Sequence, residues 1–209
     1  MMSPELKTRT ISAVILGSAV VFITWWNPIS FNVMCALGGM VLWREWRNLT
    51  RDRGPQFFVL GLVYITAAVA ALIYLRQQNI NILLAVFAIV WTGDIAAYVT
   101  GKLFGRHKIA PHISPGKSWE GLVGAMIASA AVAAWLGHVA PIPHALLGAF
   151  FAVLGLGGDL FESSLKRHAG VKDSGTLIPG HGGLFDRVDA LLPCAIFAGV
   201  VLYIRLNVS

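Results

Sequence analysis

Acidic residues are scarce. The 209-residue sequence holds ten Asp and Glu against sixteen Lys and Arg, and before residue 90 the only acids are Glu5, Glu45 and Asp52. Charged residues of both signs make up 12% of the chain and hydrophobic residues 56%, proportions that exclude a soluble fold with an ordinary polar surface. The two cysteines, Cys35 and Cys194, lie inside apolar runs and lack metal-ligand spacing, which argues against a disulfide framework or a zinc site. There is no internal repeat, low-complexity tract or long linker, and no period-2 alternation of the kind that marks a membrane barrel. One membrane domain is the default, read in two parts: N-terminal helices over residues 1–85 and a chemistry-bearing region over 86–209.

What the sequence does have is long apolar runs, seven of them, at residues 10–26, 29–43, 57–75, 80–99, 120–139, 143–160 and 190–207. A hydrocarbon layer takes roughly 20 helical residues to cross, and backbone groups in lipid must be satisfied internally. The expected fold is therefore all-α, a polytopic integral membrane protein with about seven transmembrane helices. The run 29–43 is the shortest and follows the first after only Asn27-Pro28, so it reads as half of a tight hairpin or as an interfacial segment. The first run follows Lys7 and Arg9 but ends in Ile-Thr-Trp-Trp without a small-residue cleavage pattern, and is expected to be a retained helix.

Basic residues divide unequally between alternate loops. One side collects Lys7, Arg9, Arg44, Arg47, Arg51, Arg53, Lys102, Arg106, Lys108, Lys117, Lys166, Arg167, Lys172 and Arg187, the other only Arg76 and Arg205. This places the N-terminus and the 100–119 and 161–189 loops in the cytoplasm and the C-terminus outside. The net charge of +6 is then mainly a topological signal and no evidence for nucleic acid, although a basic face attracts anionic headgroups and nucleotides.

Seven of the ten acids follow residue 90. Asp94 falls inside the fourth run, where an ionisable group is by default functional, the plainer reading being a helix-helix hydrogen bond. Asp159 closes the sixth run and Asp186 opens the seventh, with Asp189 three residues on and on the same helical face. Neighbouring helices would bring these carboxylates to one depth, a donor set suited to Mg²⁺, which takes one or two carboxylates plus phosphate oxygens and water. Taken alone, Asp186 would read as a helix cap.

The loop between them reads as a phosphate site. Gly180, Gly182 and Gly183 flank His181 just before a helix N-terminus, and Lys166, Arg167 and Lys172 are candidate phosphate clamps. A second loop, Ile113-Ser-Pro-Gly-Lys-Ser-Trp-Glu-Gly121, opens the fifth helix. Ser114 there is a turn former, Lys117 a phosphate neutraliser, and Glu120 a partner for Lys117 or for a metal. The Gly-Lys-Ser string lacks the first glycine and the preceding strand of a nucleotide-binding P-loop.

These residues resemble the phosphatidate cytidylyltransferase (CDP-diacylglycerol synthase) family. The signature falls on Ser163, Leu165, Lys166, Arg167, Lys172, Asp173, Gly175, Ile178, Pro179, His181, Gly182, Gly183, Leu184, Asp186, Arg187, Val188 and Asp189. It extends upstream through residues 158–163 and 114–121 to Asp94, Ala97 and Tyr98. The chain looks shorter at its N-terminus than typical bacterial members, and Ala190 stands where Ser is common.

The resemblance implies transfer of CMP from CTP to phosphatidic acid, giving CDP-diacylglycerol and pyrophosphate, at a cytoplasmic-face site of the inner membrane. It implies Mg²⁺, leaving open a monovalent cation beside it, and a homodimer. Lys166, Arg167, Lys172, Asp173, His181 and Arg187 would serve catalysis. Asp94, Ser114, Lys117, Glu120, Ser163, Gly182 and Gly183 would bind substrate, and Asp159, Asp186 and Asp189 the metal. The rival readings are a CTP-dependent polyprenol or dolichol kinase, a cytidylyltransferase for ether isoprenoid lipids and, more remotely, a small cation transporter, against which the absence of repeats and the one-sided charge both count.

Overall fold

The computed structural model describes residues 4–177 and 182–207, with side chains described from residue 15 onward. In chain order it comprises α1 (Pro4–Trp26), α2 (Pro28–Leu49), α3 (Pro55–Gln78), α4 (Ile80–Phe104), β1 (Lys108–Ala110), β2 (Ser114–Ser118), α5 (Trp119–Leu136), α6 (Pro141–His168), α7 (Phe185–Val188) and α8 (Leu191–Asn207). The seven apolar runs all form helices, so the all-α membrane fold expected from hydropathy holds. Helices α3 to α6 are each long and apolar enough to span a bilayer, whereas the apolar part of α1 (Ile15–Trp26) and α8 are shorter. Large apolar side chains such as Ile127, Trp135 and Leu146 point outward, as lipid-facing positions must. The chain is a multi-pass membrane protein.

Turn chemistry sets the helix boundaries. Asn27 alone separates α1 from α2, and its Oδ1 accepts the Ile29 N–H at 2.7 Å ahead of Pro28 at the first helical position. Asn79 does the same between α3 and α4, accepting from Asn81 at 2.9 Å. These caps satisfy helix-end donors that have no intrahelical partner. The second run is thus the far arm of a tight hairpin. It continues six residues past Trp43, because Arg44 and Arg47 face outward while Glu45, Trp46 and Leu49 are buried.

Helix α4 packs along α5 and α5 along α6, while α2 and α8 flank α3. One apolar core, including Phe31, Leu83, Phe87, Phe151 and Cys194, fills the centre of the bundle. A second, built from Leu42, Trp46, Ile65, Leu165, Phe185 and Leu192, lies beneath α7. Trp46 is fully buried and donates its indole N–H to the Phe57 carbonyl at 2.8 Å, which meets the polar requirement of a buried indole.

Three departures from the sequence reading concern the site. The 100–119 loop contains an antiparallel hairpin, β1 with β2, pairing Lys108 with Ser118 and Ala110 with Ser114 across an irregular register, so Ser114 starts a strand and not a turn. Helix α6 does not stop near Asp159 but runs on to His168, its polar residues interleaved with buried Glu162, Ser163 and Leu165. Asp186 belongs to the separate turn α7 and does not open the last span, since the chain breaks at Asp189 and Ala190 before α8.

Helix α6 meets that break at Gly158. A Cβ there would collide with the Asp189 carbonyl oxygen and come within 2.9 Å of Pro193 Cγ. Gly158→Ala is expected to destabilise the fold by about 1–3 kcal/mol through overpacking, read as a lower thermal midpoint of the purified protein in detergent. Substitution at Gly157, where a Cβ would meet nothing within 4 Å, should leave the midpoint close to native.

Candidate active site

The C-terminal part of α6 carries Asp159, Glu162, Ser163 and Lys166 at three- and four-residue spacing, which places them on one face of the helix. Ser163 Oγ donates to Asp159 Oδ1 at 3.3 Å, and Asp159 Oδ2 is ion-paired with Lys117, delivered by β2. One turn further on, Lys166 Nζ sits 2.5 Å from Glu162 Oε2 and 2.6 Å from Asp186 Oδ1. Glu162 is fully buried, a position that an acid holds at strong cost without such a partner. Burial works against the charge on Lys117, but Asp159 outweighs it and raises the ammonium pKa.

Asp186 gathers the loop around α7. Its Oδ2 accepts from Ser174 N, Ser174 Oγ and Gly183 N, each at 2.8 Å. Burial alone would raise this carboxyl group, yet Lys166 and the two backbone N–H groups hold it down to about 2. Asp189 Oδ1 accepts from Ala190 N at 2.9 Å; burial and the neighbouring Asp159 push its pKa up. The two acids three residues apart therefore sit in opposite electrostatic environments.

A cavity of about 710 Å³ joins these elements. Its polar end brings together Asp94, Lys117, Asp159, Asp186, Arg187 and Asp189, all anticipated, with Lys102 and Lys108, which were not. Its other end is walled by Val90, Gly93, Leu122, Ala125, Phe151 and Ala152 from the spanning helices. Ser114, Glu120, Ser163, Lys166, Arg167, Lys172, Asp173, Gly182 and Gly183 do not line it. Gly183 and Ser163 instead support residues that do, and a Cβ on Gly182 would come within 3.2 Å of Asp173 Cβ and 2.7 Å of Asp186 Oδ2. Arg167 Nε donates to the Ile113 carbonyl at 3.1 Å and so ties α6 to the hairpin. Lys172 and Asp173 are exposed in the loop. His181, with residues 178–180, lies outside the described residues.

Glu120 pairs with neither Lys117 nor the cavity: its Oε1 lies 2.6 Å from His107 Nδ1, because the hairpin turns Lys117 inward toward Asp159. The sequence reading also missed Glu45 of α2, whose Oε1 and Oε2 accept the N–H groups of Leu184 at 2.9 Å and Phe185 at 2.8 Å. A single acid among Arg44 and Arg47 reads as a solvated helix end; only its near-complete burial, 5% exposed, reveals otherwise.

Among the described residues, this cavity offers carboxylate oxygens to a cation and no thiol or imidazole. Among the described residues no three Asp, Glu, His or Cys side chains converge as a preformed metal cluster. A hard cation that takes one or two carboxylates and completes its shell with phosphate oxygens and water fits that set.

Comparison with known proteins agrees with this geometry. The profile of the Cytidylyltransferase family matches residues 54–205. The phosphatidate cytidylyltransferase of Rickettsia typhi is 33% identical over 215 residues, covering 96% of this chain and 93% of the relative. That of Brucella suis is 29% identical, covering 91% of each, and that of Mycobacterium bovis is 34% identical over 89% of this chain and 68% of the relative. The chain spans most of the rickettsial and Brucella relatives and about two thirds of the mycobacterial one. With the signature, the cavity and these similarities in agreement, the chain belongs to the cytidylyltransferase family.

Proposed function

We propose that this protein transfers the CMP moiety of CTP to phosphatidic acid, releasing pyrophosphate and forming CDP-diacylglycerol, at the cytoplasmic face of a bacterial inner membrane. One observation carries the reading. A single cavity has lysines and carboxylates at one end and apolar walls from bilayer-spanning helices at the other, a shape suited to a lipid phosphate that meets a water-borne nucleotide while its acyl chains stay in the membrane. The relatives named for this activity support it.

A phosphate oxygen of phosphatidic acid forms a bond to the α-phosphorus of CTP, and the bond from that phosphorus to the β-phosphate bridging oxygen breaks, so that pyrophosphate leaves. The substrate supplies the nucleophile, and no protein nucleophile is needed. Both reactants are anions, so bringing them together is the main electrostatic task. Lys117 is placed for it, held on Asp159 in the cavity lining that also carries Lys102, Lys108 and Arg187, and Lys166 stands behind the lining residue Asp186. Asp159 and Asp189 are the proposed holders of Mg²⁺. Asp186 is a third, although its oxygens already accept from Lys166, Ser174 and Gly183, which gives it a share in shaping the loop. When bound, Mg²⁺ neutralises phosphate charge and stabilises the departing pyrophosphate.

The deciding assay supplies the purified protein in detergent with α-³²P-labelled CTP, Mg²⁺ and phosphatidic acid. Label entering the lipid fraction with release of pyrophosphate is the expected result, and CDP formed from CTP in the presence of a polyprenol would overturn it in favour of a kinase. Lys117→Met should lower kcat/KM for CTP about 100-fold or more, the usual cost of removing a preorganised charge at a reacting phosphate or oxyanion. Asp159→Asn should lower turnover to a similar degree, with membrane insertion and thermal midpoint near native; activity within twofold of native would remove Asp159 from the metal assignment.

A further inference from the structure

We infer that Glu45, on α2 and ahead of the family-matched segment, is a positioning residue for the reacting site: it sets the location of Asp186 and Arg187 without touching substrate. The inference rests on the cytidylyl-transfer reading for its kinetic arm only. Among the described residues, Glu45 is the one α2 side chain that reaches the loop by hydrogen bonds, and it makes three such contacts. Two are the backbone donors of Leu184 and Phe185 at the start of α7. The third is Ser174 Oγ, 3.3 Å from Glu45 Oε2 and 2.8 Å from Asp186 Oδ2, so that one hydroxyl proton links the two carboxyl groups.

The fit around Glu45 is close. A Cβ on Gly175 would come within 2.6 Å of Glu45 Oε1, and one on Gly183 within 2.5 Å, so both ends of the loop approach the carboxyl group at distances that a side chain would forbid. The residue after Phe185 is Asp186, whose Oδ1 holds Lys166. A shift of the Phe185 amide therefore carries Asp186, Lys166 and the cavity-lining Arg187 with it. Groups that orient a site's ligands commonly change activity by 10- to 100-fold when altered, though they contact no substrate.

The test uses the full-length protein in nanodiscs. Glu45→Gln keeps the side-chain length but turns an amide N–H₂ toward a backbone donor. It is expected to lower kcat about tenfold or more, to raise amide hydrogen exchange in the 182–186 segment by a comparable factor, and to move the thermal midpoint by only a few degrees. Glu45→Asp, which keeps both acceptor oxygens on a shorter stem, is expected to recover part of the lost kcat. Phe31→Leu, in the central core about 21 Å away along the same helix at 1.5 Å per residue, is the stability control: it should lower the midpoint while kcat per folded molecule and exchange at 182–186 stay within twofold of native. Native kcat in Glu45→Gln, unchanged exchange at 182–186, or a loss that Phe31→Leu reproduces at equal thermal midpoint would each overturn the inference. Absence of lipid labelling by the native enzyme would instead refute the activity reading and leave the exchange comparison to decide the positioning role.

Discussion

The ammonium of Lys166, held between Glu162 and Asp186, is the contact on which the site depends. One carboxyl group is on the same helix and fully buried, the other on a turn that the chain reaches only after the sixteen residues 169–184. A lysine so placed binds the loop to the membrane helix more firmly than an exposed pair would, because its partners are largely removed from water. Without it, Glu162 would be an unpaired acid in the bundle and Asp186 would lose the donor that fixes its Oδ1. The extension of α6 beyond its apolar stretch serves this purpose: it carries Lys166 two turns past Asp159, to the level of α7.

A second lysine repeats the arrangement from another direction. Lys117 comes from the hairpin between α4 and α5 and meets Asp159 on α6. The result is an alternation of acids and bases around the cavity mouth, where isolated carboxylates would repel a triphosphate and isolated lysines would leave no oxygen donors for a cation. On the proposed reading, substrate phosphates would draw the ammonium groups away from their carboxylates and free those oxygens for a divalent cation. Charge exchange between partners already present suits a site at the edge of lipid, where bringing in a bare ion is costly.

Much of this was legible before any coordinates. The helices followed from apolar run length, because lipid permits only internally bonded backbone, and among the cavity's charged residues Asp94, Lys117, Asp159, Asp186 and Asp189 followed from type and place in the sequence and Arg187 from the family resemblance. What escaped notice depended on three-dimensional neighbours. The β hairpin lies in Gly-, His- and Lys-containing sequence with no alternating pattern, and its pairing decides that Lys117 faces Asp159 while Glu120 turns to His107. The continuation of α6 was hidden because glycines at 155, 157 and 158 resemble a helix end, although Gly158 serves instead for close approach to Asp189. Glu45 was hidden by its arginine neighbours, which suggest solvent where the structure has a buried capping acid.

That last case bears on how the two parts of the chain are coupled. The signature residues lie between 94 and 189, and the family match begins at residue 54, which invites the view that the N-terminal helices are only an anchor. Yet the second core, beneath α7, mixes Leu42, Trp46 and Leu49 of α2 with Leu165, Phe185 and Leu192 from the signature half, and the polar contact above that core is Glu45. The loop is too rich in glycine and too poor in apolar residues to hold one conformation by its own packing. Its order has to be imposed from outside by a group able to accept several backbone hydrogen bonds within apolar surroundings. In this chain that group, Glu45, lies 118 residues before Ser163, the first residue of the signature, so the chemistry of the second half acquires its geometry from the first.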